Sequence, residues 1–152
     1  LGLAAGDFIS GFISQLSKTR KRVIIAFLIL SMVSAVVFLF PFNRSIEWFN
    51  FMCFFLGLVT GYWTLFVTMS SESFGTNIRS TVTNTVPNFV RGSVIPMTLI
   101  YKWLTTGFSG HLSQPHIVAA ICVGVVVFGI SFWGILQLKY TFTKDLNYSE
   151  TL

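Results

Sequence analysis

Five apolar stretches separated by short polar segments run along the 152 residues, at 1–16, 23–40, 46–71, 79–104 and 117–138. A helix rises ~1.5 Å per residue and the hydrocarbon core of a bilayer is ~30 Å thick, so each of the last four is long enough to cross, with tilt in the longer ones. The first is too short to cross unless it starts before residue 1, so the expectation is the C-terminal part of a longer chain. None of the five shows the strict apolar–polar alternation of a membrane barrel, so they read as helices. The fold expected is all-α, a multi-pass transmembrane helical bundle followed by a solvated tail at 139–152.

The stretches differ in kind. The second has only Ser31 and Ser34 as polar side chains and the fifth only Ser131 and Gln137, which marks both as peripheral. The other three carry polar stripes at helical spacing: Asp7, Ser10, Ser14 and Lys18; then Gly57, Gly61, Thr64, Thr68 and Ser71; then Asn84, Asn88, Arg91, Thr98 and Lys102. Lipid satisfies no such groups, so these stripes must face protein or water.

Composition agrees with this picture. The chain is 53% hydrophobic and 10% charged, against roughly 25% charge in a soluble domain. Its net charge of +5 suggests nucleic acid only until the cations are located, because they gather at the ends of the apolar stretches. Lys18, Arg20, Lys21, Arg22, Arg79, Lys139 and Lys144 fall on one set of alternate connections, and only Arg44 and Lys102 on the other. The bias toward basic cytoplasmic loops then puts the first and third connections and the C-terminus in the cytoplasm. The expected location is a cell membrane, and no nucleic-acid partner is implied.

Two charges lie inside apolar stretches. Arg91 is ~18 Å along the helix from Arg79 and ~16 Å from Lys102, close to the bilayer centre. A cation there serves a substrate, an ion path or a buried partner, or else snorkels along a tilted helix. Its guanidinium fork suits a carboxylate or phosphate. Asp7 stands at similar depth in the first stretch. Burial and a nearby cation move a carboxyl group in opposite directions, so Asp7 is a candidate for proton or cation coupling, with a purely structural role as the alternative. Direct pairing of Asp7 with Arg91 is the sharper hypothesis. Tyr62 and Trp63, beside Thr64 in the third stretch, either line a cavity or pack.

The connections resemble a known family. Residues 6–23, GDFISGFISQLSKTRKRV, resemble the cytoplasmic loop between helices eight and nine of major facilitator superfamily transporters, with Gly11, Ser14, Arg20 and Lys21 matching; Gln15 stands where an acid is usual and Thr19 where Gly is usual. Residues 72–81, ESFGTNIRST, resemble the E-x-F-P-T-x-x-R-x-T segment between helices ten and eleven, with Gly75 in place of its Pro. Asn88, Arg91, Gly92 and Pro96 continue the pattern into helix eleven. The resemblance covers nearly the whole chain. It implies the end of helix eight through helix twelve, peripheral ninth and twelfth helices, and a missing N-terminal half of the same transporter as partner. It also implies a cytoplasmic gate built from Gly11, Ser14, Arg20, Lys21, Glu72 and Arg79.

Other chemistry is sparse. Cys53 and Cys122 sit in apolar stretches without metal-ligand spacing. Residues 107–110 read GFSG with His111 adjacent, but the serine lies in a connection rather than beside a positioned base. There is no H-E-x-x-H or phosphate-binding loop, so neither an enzyme nor a metal or other cofactor is expected. Residues 43–45 form a glycosylation sequon. The function expected is gradient-driven transport of a small solute by alternating access, as a symporter or antiporter, with Asp7, Arg91, Asn84, Asn88, Tyr62, Trp63 and Thr64 as substrate or coupling candidates. The alternative is a small stand-alone membrane subunit that binds partners.

Overall fold

The structure, a computed structural model, describes residues 1–40, 45–110 and 113–138. Those residues form helices and connections, with no strand. In chain order the helices are α1 (Gly2–Ser17), α2 (Arg20–Leu39), α3 (Ile46–Val59), α4 (Trp63–Glu72), α5 (Thr76–Phe108) and α6 (Pro115–Gln137). The tail at 139–152, the sequon's Asn43 and Arg44, and His111 lie outside the described residues.

Local chemistry sets several of these bounds. Lys18 adopts the left-handed conformation (φ 48°, ψ 24°) just after α1, which turns the chain sharply into α2. The Ser45 hydroxyl accepts a hydrogen bond from the Trp48 amide (3.2 Å) and caps the start of α3. Glu47 in the first turn complements the helix dipole there.

Among the described residues three helices are long and apolar enough to cross a membrane: Arg20–Leu39, α3 with α4 taken together as Ile46–Glu72, and Pro115–Gln137. This is the composition of a membrane protein. α5 is not among them, although it has 33 residues. Its asparagines, threonines, serines, Arg91 and Lys102 dilute the apolar residues, although its 33 residues give it the length to cross expected of 79–104.

Among the described residues the chain divides into two compact units, 1–84 with Leu138, and Thr85–Gln137. In the first, α1, α2, α3 and α4 pack on one another. Their shared interior holds Val23, Ile24, Phe27, Leu28, Met52, Val59, Leu65 and Met69 together with Ser10, Ser14, Ser31 and Ser34. α2 was read as peripheral from its lack of polar side chains. It packs by one face, burying Val23, Ile24, Phe27, Leu28, Ser31 and Ser34, while Ile29, Leu30, Met32, Val33 and Val36 are exposed. The buried serine hydroxyls donate within their own helix, Ser31 to the Phe27 carbonyl (2.8 Å) and Ser34 to the Leu30 carbonyl (2.6 Å), so burial leaves no hydroxyl unsatisfied. In the second unit α6 buries only Ala119 and Ile135, and α5 buries no residue.

Candidate functional site

The polar stripe of α1 meets the one interruption in an otherwise continuous apolar stretch. Residues 46–71 read as a single helix, yet α3 ends at Val59 and α4 begins at Trp63. Three residues with weak helical preference, Gly57, Thr60 and Gly61, lie around the break. The Thr60 hydroxyl bonds back to the carbonyls of Leu56 (2.9 Å) and Gly57 (3.0 Å), and the Gly61 amide reaches only to Leu58 (3.2 Å), which tightens the last turn. The ladder resumes with the Phe66 amide on the Tyr62 carbonyl (3.0 Å). Within the 27-residue span Ile46–Glu72, the break lies within about one helical turn of the midpoint.

Glycines let α1 reach it. A Cβ on Gly6 would run into the Leu58 carbonyl, and one on Gly61 would run into the backbone of Gly6 and Asp7. One turn along, a Cβ on Gly2 would meet the Phe54 carbonyl, and one on Gly57 would lie 3.2 Å from the Leu3 amide nitrogen. The spacing Gly57-x-x-x-Gly61 therefore serves close approach, and its counterpart is Gly2-x-x-x-Gly6.

Two side chains exploit the approach. The buried Ser10 hydroxyl donates to the Gly61 carbonyl (2.6 Å) at the break. Asp7 Oδ1 accepts from the Thr64 hydroxyl (2.9 Å) and the Thr64 amide (3.3 Å). The first amides of a helix have no intrahelical acceptor, so Asp7 caps α4 from another helix and places its carboxylate at the positive end of the α4 dipole. That placement is worth ~0.3–1 kcal/mol at an exposed site and up to ~2 when partly buried. Asp7 is half-buried and Thr64 exposed, so the carboxylate stays open on one side. Of the neighbouring candidates, half-buried Tyr62 stands edge-on to Phe27 with ring centroids 6.4 Å apart, and Trp63 tilts against Phe66 at 5.8 Å. Both aromatics have packing partners.

The residues expected to form a gate belong to the same unit. Arg20, at the start of α2, forms an ion pair with Glu72, at the end of α4, with side chains 21% and 13% exposed. Arg79 reaches back from α5, its Nε donating to the Ser71 carbonyl (3.1 Å) and Nη2 to the Phe74 carbonyl (3.3 Å), and so braces the α4–α5 turn. Lys21 Nζ donates to the Leu138 carbonyl (2.7 Å). Ser14 is buried, whereas Gly11 is half-buried with open space where a Cβ would sit.

Asn84, Asn88 and Arg91 are exposed on α5. Asn84 belongs to the first unit, Asn88 and Arg91 to the second. The carboxylate of Asp7 is held by Thr64, and the guanidinium of Arg91 has no ion-pair partner among the described residues. Ser109 donates to the carbonyl of Thr106 (2.7 Å) in its own turn, just past the end of α5. Among the described residues no group of three or more His, Cys, Asp or Glu is placed to hold a metal ion. Reasoning from sequence missed the break in 46–71 and its cap; the cluster of Gly57, Thr60 and Gly61 was the available signal. No family model, curated protein or solved structure matches this chain.

Proposed function

We propose that this chain is the C-terminal part of a gradient-driven transporter of the major facilitator type, moving a small solute by alternating access. The proposed setting is a cell membrane with the C-terminus cytoplasmic. The observation that carries the reading is the interrupted span: α3 and α4 break near mid-length, and the Asp7 carboxylate sits against the new helix N-terminus. Broken helices near the bilayer midplane, with helix ends turned toward charged groups, are how secondary transporters build solute and ion sites. Asp7 is the coupling group in this proposal, because its carboxylate meets the N-terminus of α4 at the break and stays open on one side. Arg91 is the anion contact. The Arg20–Glu72 pair, joining the ends of α2 and α4, serves as a cytoplasmic latch that alternating access must open.

A second reading, a small membrane subunit that binds partners, is favoured by α5, which buries none of its residues. Uptake by the full-length protein in proteoliposomes, across a panel of sugars, organic anions, peptides and drugs, separates the two. Transport predicts accumulation of at least one class, and Arg91→Ala lowering uptake of an anionic solute ~10–100-fold, the value of a hydrogen bond to a charged group. Unchanged uptake in Arg91→Ala removes that residue from the site. No uptake of any class favours the subunit.

A further inference from the structure

The second unit contains a groove of about 390 Å³ between α5 and α6, lined by Val94, Met97, Thr98 and Tyr101 on one side and by α6 from Ala120 to Phe128 on the other. Its size falls at the low end of small-molecule sites. Its walls are almost wholly apolar, and the Thr98 hydroxyl is already committed to the Val94 carbonyl (2.7 Å). Gly124 leaves the middle of the α6 wall open, since a Cβ there would meet nothing within 4 Å.

One end of the groove bears the marks of a membrane interface. Tyr101, Lys102 and Trp103 follow one another on α5, with Trp103 75% exposed. Aromatic rings and lysines collect at head-group depth, where an apolar body and a polar tip are both satisfied. Lys102 is one turn beyond Thr98 on the same side of α5, so it continues the groove wall past its last lining residue, Tyr101. It is exposed and has no ion-pair partner among the described residues. From that cation the apolar channel runs along α6, which is itself apolar enough to cross a bilayer. An apolar slot below a lone cation complements an anionic amphiphile. We propose that the groove between α5 and α6 holds an acyl chain of an anionic phospholipid, with its phosphate on Lys102.

Native mass spectrometry of the detergent-purified full-length protein tests this with dioleoyl phosphatidylglycerol and dioleoyl phosphatidylcholine as probes. The wild type is expected to retain phosphatidylglycerol about five-fold better than phosphatidylcholine, the preference one surface lysine confers. Lys102→Gln is expected to abolish that preference. Gly124→Leu, whose Cβ would meet nothing within 4 Å and whose side chain would enter the groove, is expected to lower retention of both lipids about ten-fold or more. The proposal is overturned if Lys102→Gln keeps the preference, if Gly124→Leu binds lipid as the wild type does, or if Arg91→Ala rather than Lys102→Gln removes the preference. It is also overturned if the species lost in Gly124→Leu is a dimer, because Ala120 and Gly124 would then be serving a second copy of the chain.

Discussion

Gly6 and Gly11 lie on the same helix, and the structure predicts opposite outcomes for the same substitution at each. Gly6→Ala puts a Cβ into the Leu58 carbonyl. That atom is backbone and cannot rotate away, so α1 and the break must separate. Overpacking of this kind costs ~1–3 kcal/mol. Separation also weakens the Ser10–Gly61 hydrogen bond of 2.6 Å, worth ~1 kcal/mol. Against these stands the gain in helix propensity, ~1 kcal/mol for Gly to Ala. The net is a destabilisation of about 2 kcal/mol. Gly11→Ala meets nothing within 4 Å and keeps the propensity gain, so it stabilises by about 1 kcal/mol. The gap of about 3 kcal/mol corresponds to ~6–12 °C in a chain of this size. Thermal unfolding of the full-length protein in detergent, followed by tryptophan fluorescence, measures it. Gly6→Ala unfolding at or above the temperature of Gly11→Ala would refute the close approach of α1 to the break.

Two further substitutions probe the cap and the latch. Thr64→Val removes the hydroxyl that binds Asp7 Oδ1 at 2.9 Å but keeps the amide contact, so a loss of ~1.5–3 kcal/mol is expected in the same unfolding assay, and a loss below ~0.5 kcal/mol would show that the carboxylate does not depend on it. Arg20→Leu and Glu72→Leu should each destabilise by ~2 kcal/mol or more, because each removes the ion-pair partner of a largely buried charge, while the double variant should cost less than the sum of the two single ones; simple additivity of the two losses would show that the pair is not coupled.

The sequence made the polar face of α1 legible, because Asp7, Ser10 and Ser14 recur at helical spacing, and all three lie on the packed side of that helix, Ser10 and Ser14 buried and Asp7 half-buried. Gly57 and Gly61 likewise fell on the stripe of the third stretch expected to face protein or water, and they lie where α1 approaches most closely. The break between α3 and α4 was not legible, because what stabilises it lies on another helix: the Ser10 hydroxyl and the Asp7 carboxylate satisfy backbone groups 51 and 57 residues away. Local propensity at Gly57, Thr60 and Gly61 permits a break without requiring one. Equal depth of Asp7 and Arg91 along their stretches does not identify a partner for the carboxylate, which is bound to a helix end through Thr64. Polarity did not show which face of α2 packs, since apolar residues on both faces look alike whether they meet protein or lipid.

The central claim is that Asp7 couples an ion gradient to solute movement across the broken span. It is tested most directly by uptake into proteoliposomes of the full-length protein with and without an imposed pH gradient, comparing the wild type with Asp7→Asn. The asparagine oxygen can still accept from Thr64, so the site should survive. The account predicts gradient-stimulated accumulation by the wild type, and an Asp7→Asn protein that still exchanges solute across the membrane but no longer responds to the gradient. An Asp7→Asn protein that accumulates solute in response to the gradient as the wild type does would contradict it.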